Sequence, residues 1–399
     1  MAETLEAVEI LGLLRDGRPR TKTELAKLLG KARSTVSLRL ADLQATGLVE
    51  ELAAPAATRG RPSALYALAT SGKLIGAAEL ASADCLVAIT DLAGRVLAQE
   101  SYAVDPADGP VPVLDRITAT LATLLAGLGR SPGDLVGVGL GVPGPVDPAT
   151  GQTLSPMILP GWDQFDIVGH IQAAFPGPVV VDNDVNVMAV GEWVTQYPDE
   201  SDLILVKVNT GLGAGIVAGG RLIRGARGGG GDIGHIQVDA ASDRLCRCGQ
   251  TGCLEALASG AGIARTLSDQ GVAATSAWDV VHLVRGGDAT ASRVVREAGR
   301  AIGAVLAALV CALNPKYVIL GGEIAHVGEP LLAGIREVVY ARSQPAATSD
   351  LQIVTAHNLE LASIIGASRL VQNHLFGVPT APVRYVEPTQ DSAGPRPAQ

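Results

Sequence analysis

The sequence predicts an α/β protein with an N-terminal winged helix-turn-helix followed by two α/β halves that enclose a cleft. Residues 1–70 combine three helical patterns with two short strand patterns, and strand-like and helical runs alternate over residues 74–375. Several of these strands run into polar or glycine-rich loops. The chain has 399 residues, 47% hydrophobic and 18% charged, a composition that allows a sizeable core and excludes a wholly disordered protein.

Positive charge is concentrated near the N-terminus. Residues 15–39 contain eight basic and two acidic residues, whereas the whole chain has a net charge of −9. A cationic segment on an acidic protein suggests a surface that docks a polyanion. A merely solvated segment would have the same composition, so charge alone leaves both interpretations open.

The three N-terminal helices have the spacing of a helix-turn-helix. Thr23 can cap a short second helix over 24–29, which Gly30 ends, and a third helix is predicted over 33–45. Two helices joined by a glycine turn form the arrangement in which the second one enters the DNA major groove. A three-helix bundle without DNA-binding activity is the alternative.

Several polar residues are positioned to contact DNA. An arginine on the exposed side of the third helix can bind guanine or hold a phosphate. The basic segment RGRP at 59–62, between the two wing strands, is of the kind that enters a narrow minor groove, although it could also be an interdomain hinge. The candidate DNA-contacting residues are Arg33, Ser34, Ser37, Arg39, Arg59 and Arg61.

The rest of the chain is predicted to form two α/β lobes, residues 71–200 and 201–376, followed by a disordered tail at 377–399. Hairpin patterns over 86–99 and 213–224 suggest a duplicated unit. Strands that end in polar loops at one sheet edge predict a ligand site there. The longest apolar run is too short to span a membrane.

A histidine and three cysteines form the strongest chemical motif. His235 precedes Cys246, Cys248 and Cys253, a set of one imidazole and three thiolates that Zn²⁺ prefers in closed structural sites. Unrelated buried thiols are the alternative. Five cysteines, an odd number, and no export-signal pattern argue against a disulfide scaffold and predict a cytoplasmic protein.

These motifs together resemble the ROK family, which groups sugar-responsive repressors and sugar kinases. The winged helix resembles the repressor branch of that family. The resemblance implies an actin/hexokinase-like (ribonuclease H-like) fold for the two lobes. The matching motifs are GVPGPVD at 141–147, VDNDVN at 181–186, NTGLGAG at 209–215, DIGH at 232–235, CRCGQTGCLE at 246–255 and NPKYVILGG at 314–322.

The resemblance also assigns roles to individual residues. Asp184 matches the base that deprotonates the sugar hydroxyl in family kinases, and His235 would contact both sugar and zinc. Asp232 stands where the family has a longer glutamate, and Ile158 where it often has an asparagine, which favours a modified or unusual sugar. The implied ligand-binding residues are Asn183, Asp184, Asp232, His235 and Glu255.

The nucleotide side departs furthest from the family kinases. Their first phosphate loop reads like DxGGTK, whereas residues 79–84 read ELASAD and lack two glycines and the threonine. We therefore expect no enzyme and only a vestigial base. The expected function is a DNA-binding regulator, most simply a homodimeric or homotetrameric repressor, whose operator affinity changes when a sugar or sugar derivative binds. An ATP-dependent sugar kinase with a DNA-binding appendage and a ligand-independent regulator with a vestigial pocket are the alternatives.

Overall fold

The computed structural model describes residues 2–15, 17–52, 64–69, 72–154, 159–239, 241–358 and 360–376. The predicted DNA contacts Arg59 and Arg61, the departure at Ile158 and the tail at 377–399 lie outside the described residues.

The N-terminal unit has three helices and a small antiparallel sheet. Val36, Leu40 and Leu43 of the third helix are buried, as its spacing predicts. Thr21, rather than Thr23, caps the second helix, because its hydroxyl accepts from the Glu24 amide while the Glu24 carboxylate accepts from the Thr21 amide. The elements are α1 (Ala2–Leu14), β1 (Arg20–Thr21), α2 (Lys22–Leu29), α3 (Arg33–Ala45), β2 (Val49–Leu52) and β3 (Leu65–Leu68), with sheet order β1-β3-β2.

Two five-stranded sheets of the same topology follow. In each, the first three strands are antiparallel and the last two join them in parallel, so the expected duplication is confirmed. The first sheet contains β4 (Leu74–Leu80), β5 (Asp84–Asp91), β6 (Val96–Ala103), β7 (Leu135–Val142) and β8 (Val179–Asn183), in the order β6-β5-β4-β7-β8. The second contains β9 (Leu203–Val208), β10 (Leu212–Ala218), β11 (Arg221–Leu222), β12 (Tyr317–Gly321) and β13 (Gln352–Thr355), in the order β11-β10-β9-β12-β13.

Helices cover both sheets. Those before the second sheet are α4 (Pro110–Gly127), α5 (Ile167–Gln172) and α6 (Asp184–Gln196). Those after its first hairpin are α7 (Leu254–Ala258), α8 (Gly260–Asp269), α9 (Ala277–Arg285), α10 (Ala289–Leu313), α11 (Glu329–Arg342), α12 (Pro345–Thr348) and α13 (Ala362–Leu375). None of the described helices is both long enough and apolar enough to cross a membrane.

The last helix, α13, packs on the first sheet and on α6, although the predicted boundaries assign it to the second lobe. Glycines allow this close packing: a Cβ on Gly191 would overlap the Ala362 carbonyl, and a Cβ on Gly366 would overlap the Val187 carbonyl. The predicted lobes are consecutive segments of the chain. In the structure, the close crossing with α6 places α13 on the first lobe instead.

One apolar cluster joins the N-terminal unit to the first lobe. It contains Ile10 and Leu14 of α1, Ile75 of β4, Leu370 of α13 and the buried Phe376. A hydrogen bond of 2.5 Å from the Arg15 guanidinium to the Asn373 side-chain carbonyl lies beside this cluster. The DNA-binding candidate and the first lobe therefore share one apolar cluster, and the Arg15–Asn373 hydrogen bond connects the end of α1 to α13.

Candidate functional site

All five predicted ligand-binding residues line one cleft between the two sheets. The cleft lies where β8 runs into α6, and glycine-rich loops from the second lobe close its other side. Its polar lining consists of Asn183, Asp184, Lys207, Asn209, Asp232, His235, Arg247 and Glu255, together with Ser82. The structure therefore brings the five predicted residues together in one cleft, and it adds Lys207 and Arg247, which the sequence analysis did not single out.

Asn183 orders the loop at the start of α6. Its side-chain oxygen accepts from the amides of Val185 and Asn186, at 3.0 and 3.3 Å, and so caps the helix. Its side-chain NH₂ donates to the Gly144 carbonyl at 2.8 Å, which ties the 141–147 loop to the cleft. One amide hydrogen of Asn183 remains for a ligand.

Asp184 forms a buried ion pair that the motif does not predict. The Lys207 ammonium donates to Asp184 Oδ2 at 2.8 Å and to Glu79 Oε1 at 2.6 Å. Glu79 lies in β4 and Lys207 in β9, so this Glu79–Lys207–Asp184 triad connects the two lobes. A lone lysine in the otherwise apolar strand LILVKV was the sequence signal for it.

The charge on Lys207 is stabilised by its partners. Burial by itself lowers the pKa of Lys207, but the Asp184 and Glu79 carboxylates outweigh burial and raise that pKa above its ordinary value. Lys207 is therefore charged at neutral pH. Two carboxylates against one ammonium leave the triad with a net negative charge when both acids are ionised.

A second ion pair connects the lobes next to Asn183. The Arg224 guanidinium, just after β11, donates to Asp182 Oδ2 at 2.6 Å, and both side chains are largely buried. The other oxygen of Asp182 accepts from the Asn183 amide at 2.8 Å and the Asn186 side chain at 2.9 Å. A shift of Arg224 would therefore be transmitted to the helix cap that orders the cleft.

Glu255 is held on the opposite wall by Arg247. The guanidinium makes two parallel hydrogen bonds of 2.6 and 2.7 Å to the carboxylate, and the Leu212 amide adds a third at 3.1 Å. A Cβ on Gly211 would lie 2.6 Å from the Arg247 Nη2 atom, so any other residue at this loop position would have to displace the guanidinium from its ion pair. Arg247 thus fixes the orientation of the predicted sugar-contacting glutamate.

The four predicted metal ligands form a compact cluster that could hold a metal ion. All four ligand atoms lie within 4.8 Å of one another; Cys246 Sγ is 3.4 Å from His235 Nδ1, and Cys248 Sγ is 3.7 Å from Cys253 Sγ. A tetrahedral ion with bonds of about 2.3 Å to sulfur and 2.0 Å to nitrogen requires roughly 3.5–3.8 Å between ligands. His235 turns its other nitrogen towards Asp232, with Nε2 3.9 Å from the carboxylate.

The candidate DNA-contacting residues separate into two groups. Arg33 and Ser34 are exposed, Ser37 is half-buried, and Leu38 beside them is 56% exposed. Arg39 instead turns inward: its side chain is 12% exposed and pairs with Glu6 at 3.3 Å and Asp42 at 3.1 Å. Arg39 therefore braces α3 against α1 and does not belong to the outward face, which corrects its assignment as a DNA contact.

Comparisons with known proteins agree with this arrangement. The model of the ROK family matches residues 76–374, and that of the bacterial regulatory protein, arsR family, matches residues 6–51. A glucokinase of Halalkalibacterium halodurans is 33% identical, over 72% of this chain and 91% of its own length. A xylose repressor of Caldicellulosiruptor bescii is 28% identical, over 93% of this chain and 96% of its own.

A solved structure, described as a ROK family transcriptional regulator and homolog of the E. coli MLC protein, matches with a TM-score of 0.81 at 25% identity. The match covers 94% of this chain and 97% of that one, so it includes the N-terminal unit as well as the lobes. The family match extends over most of the chain, and the motifs at the cleft lie within it. This chain is a member of the ROK family.

Proposed function

We propose that this protein is a cytoplasmic DNA-binding transcriptional regulator, most simply a repressor, that responds to a sugar or sugar derivative. The observation that carries the proposal is the exposed face of Arg33, Ser34 and Leu38 on a helix-turn-helix that shares an apolar cluster with the first lobe, which lines one side of the cleft. As a homo-oligomer, it would set two α3 helices on half-sites about one DNA turn apart.

The α3 face contains both kinds of group that read base edges. Arg33 can fork onto guanine or hold a phosphate, Ser34 can bond to several bases, and Leu38 can contact a thymine methyl group. We assign the N-terminal unit, 1–70, to DNA binding and the lobes to effector binding.

Substitution of Arg33 by Ala is expected to weaken operator binding by about 1–3 kcal/mol without lowering the thermal midpoint of unfolding. The measurement is fluorescence anisotropy with a duplex recovered by selection from random DNA. The matched control is Arg39→Ala, which leaves Glu6 without its closest cation and is expected to lower the midpoint. Unchanged operator affinity in a folded Arg33→Ala protein would remove Arg33 from the DNA contacts.

The effector would bind to the polar cleft. Asp184, Asp232 and Glu255 offer carboxylate oxygens to sugar hydroxyls, while Asn183 and His235 offer one nitrogen each. We propose that Zn²⁺ is held by His235, Cys246, Cys248 and Cys253. Bound there, it would stabilise the loop that ends at α7 and fix the His235 ring, so that the second nitrogen faces the cleft.

A sugar kinase is the second candidate, favoured by the 33% identity to a glucokinase and by retained glycine loops. Two contacts oppose it. The Asp184 carboxylate accepts a hydrogen bond from the Lys207 ammonium at 2.8 Å, so a sugar hydroxyl would have to compete with Lys207 for that oxygen. The Arg247–Glu255 ion pair lies directly against Gly211, which offers a reason for a small residue there other than nucleotide binding.

We expect no sugar-dependent ADP release from ATP in a coupled assay with hexoses, pentoses and amino sugars. The Asp184→Asn variant serves as background, because it lacks the candidate base but keeps the side-chain size. Turnover by the wild-type protein that disappears in Asp184→Asn would favour the kinase and contradict the assignment as a non-enzymatic regulator.

A further inference from the structure

A second cavity, of about 890 Å³, lies between the N-terminal unit and the lobes, and we call it the interdomain groove. Its walls come from the end of α1, the turn at 93–95 between β5 and β6, the second half of α6, the β10–β11 hairpin and α13. Among the residues that the structure describes, none lines both this groove and the sugar cleft. The groove is therefore a separate site that touches both the DNA-binding and the effector-binding parts of the chain.

The lining of the groove is strongly basic. Its described residues include one acid, Asp199, and six arginines, Arg15, Arg18, Arg95, Arg221, Arg224 and Arg369. Arg224 is neutralised by Asp182. Within the described residues, Arg95 and Arg221 have no ion-pair partner, and both are exposed at the groove. A concave surface with this excess of guanidinium groups attracts anions.

Arg15 adds a partly desolvated cation. Its guanidinium donates to the neutral side-chain carbonyl of Asn373, so the hydrogen bond supplies no compensating charge. Burial lowers the pKa of Arg15, because removal from water disfavours the charged guanidinium. An anion in the groove would supply the negative charge that the neutral Asn373 partner of Arg15 does not provide.

We propose that the interdomain groove binds a small anion with two or more charges, recognised through phosphoryl or carboxylate oxygens. Guanidinium groups make paired hydrogen bonds to both kinds of oxygen. Arg15 directly follows α1, and Arg95 and Arg221 belong to the edge hairpins of the first and second lobes. One anion shared by these three would fasten the DNA-binding unit to both lobes.

The groove is also connected to the sugar cleft. Arg224 lines the groove and binds Asp182, which accepts from the amide of Asn183 in the cleft. The two ligands would then act on the same ion pair between the lobes. A groove anion is thus a candidate second signal, distinct in charge from the sugar.

The test measures anion binding to the DNA-free, sugar-free protein by calorimetry and thermal shift. Pyrophosphate and citrate are compared with sodium chloride at equal ionic strength, so that the two arms distinguish phosphoryl from carboxylate recognition. We expect saturable binding and a higher thermal midpoint with at least one of them. The double variant Arg95→Ala/Arg221→Ala should lose roughly tenfold or more in affinity, as expected for removal of charge-assisted hydrogen bonds.

The matched control is Arg265→Ala, an exposed arginine on α8 outside the groove. Either anion could also remove the metal from the protein. This effect would be equal in the wild type, the double variant and the control, because their Cys₃His clusters are identical. Equal affinity in the double variant and the control, or a response no larger than that to chloride, would overturn the proposal. Loss of operator affinity in the double variant, with no anion binding to the wild type, would also overturn the proposal, because the groove would then contact the DNA backbone. The anion-binding measurements require neither DNA nor sugar, so their result does not depend on the proposed function.

Discussion

Replacement of Lys207 by Ala is expected to reduce the free energy of unfolding by about 3–5 kcal/mol, the usual cost of removing one partner of a buried ion pair. Asp184 and Glu79 would then face each other without the ammonium that separates them, at 13% and 15% exposure. Burial already raises the pKa of Asp184, and only Lys207 opposes that effect strongly. The measurement is the thermal midpoint, with urea unfolding as a second readout.

The matched control removes the whole triad. The triple variant Lys207→Met/Glu79→Gln/Asp184→Asn has no unpaired charge and is expected to regain most of the lost stability. If the triple variant is as unstable as Lys207→Ala, packing of the lysine stem, rather than charge, explains the loss.

The destabilisation by Lys207→Ala should depend on pH in a defined direction. Without the ammonium, burial and the neighbouring Glu79 charge raise the folded-state pKa of Asp184 further above its unfolded value of about 4. A carboxyl with a raised folded-state pKa does not lower the free energy of unfolding at a pH below its unfolded-state pKa, because it is then protonated in both states. The full loss of stability applies only at a pH above the folded-state pKa. The difference in midpoint between variant and wild type should therefore shrink as the pH falls from 8 towards 4.5. A constant difference over this range would contradict the charge explanation.

Substitution of Cys253 by Ser is expected to remove most of the bound zinc and to lower stability by an amount on the order of several kcal/mol. Cys253 is fully buried and directly precedes α7, the helix with Glu255 in its first turn. Loss of the metal would therefore disturb the cleft wall as well as the loop. Metal analysis and calorimetry with and without a chelator give the two readouts.

Cys311→Ser is the control for Cys253→Ser, because Cys311 is exposed on α10 and does not belong to the metal cluster. The control should keep the zinc and the wild-type midpoint, and a chelator should destabilise it as it does the wild type. Wild-type protein that contains no zinc after expression with zinc, or a chelator effect that persists in Cys253→Ser, would contradict the Cys₃His site.

The sequence revealed the parts of the site that lie close together in the chain. Helix α3 begins and ends at the predicted residues. The spacing of His235 and the three cysteines predicted the cluster of side chains that could hold a metal ion. Such features depend on local capping, periodicity and ligand chemistry. Lys207 instead meets Glu79 128 positions away, and no local pattern specifies that pairing.

The errors have the same physical origin. Arg39 looked like a DNA contact from its neighbours in the chain, but Glu6, 33 residues earlier, draws it inward. Likewise, α13 returns to the first sheet because glycines on two distant helices permit a close crossing. Charge and helical periodicity locate a residue on an element, whereas contacts from remote segments decide where its side chain points.

The position of α13 has a consequence for biosynthesis. Helix α1 leaves the ribosome long before Leu370 and Phe376, which belong to the same apolar cluster. At translation rates of about 5–20 residues per second, roughly 20–70 s separate the two events. During that interval the N-terminal unit lacks these two partners of the shared cluster, so a chain terminated before Leu370 would release it without its complete apolar contact to the first lobe.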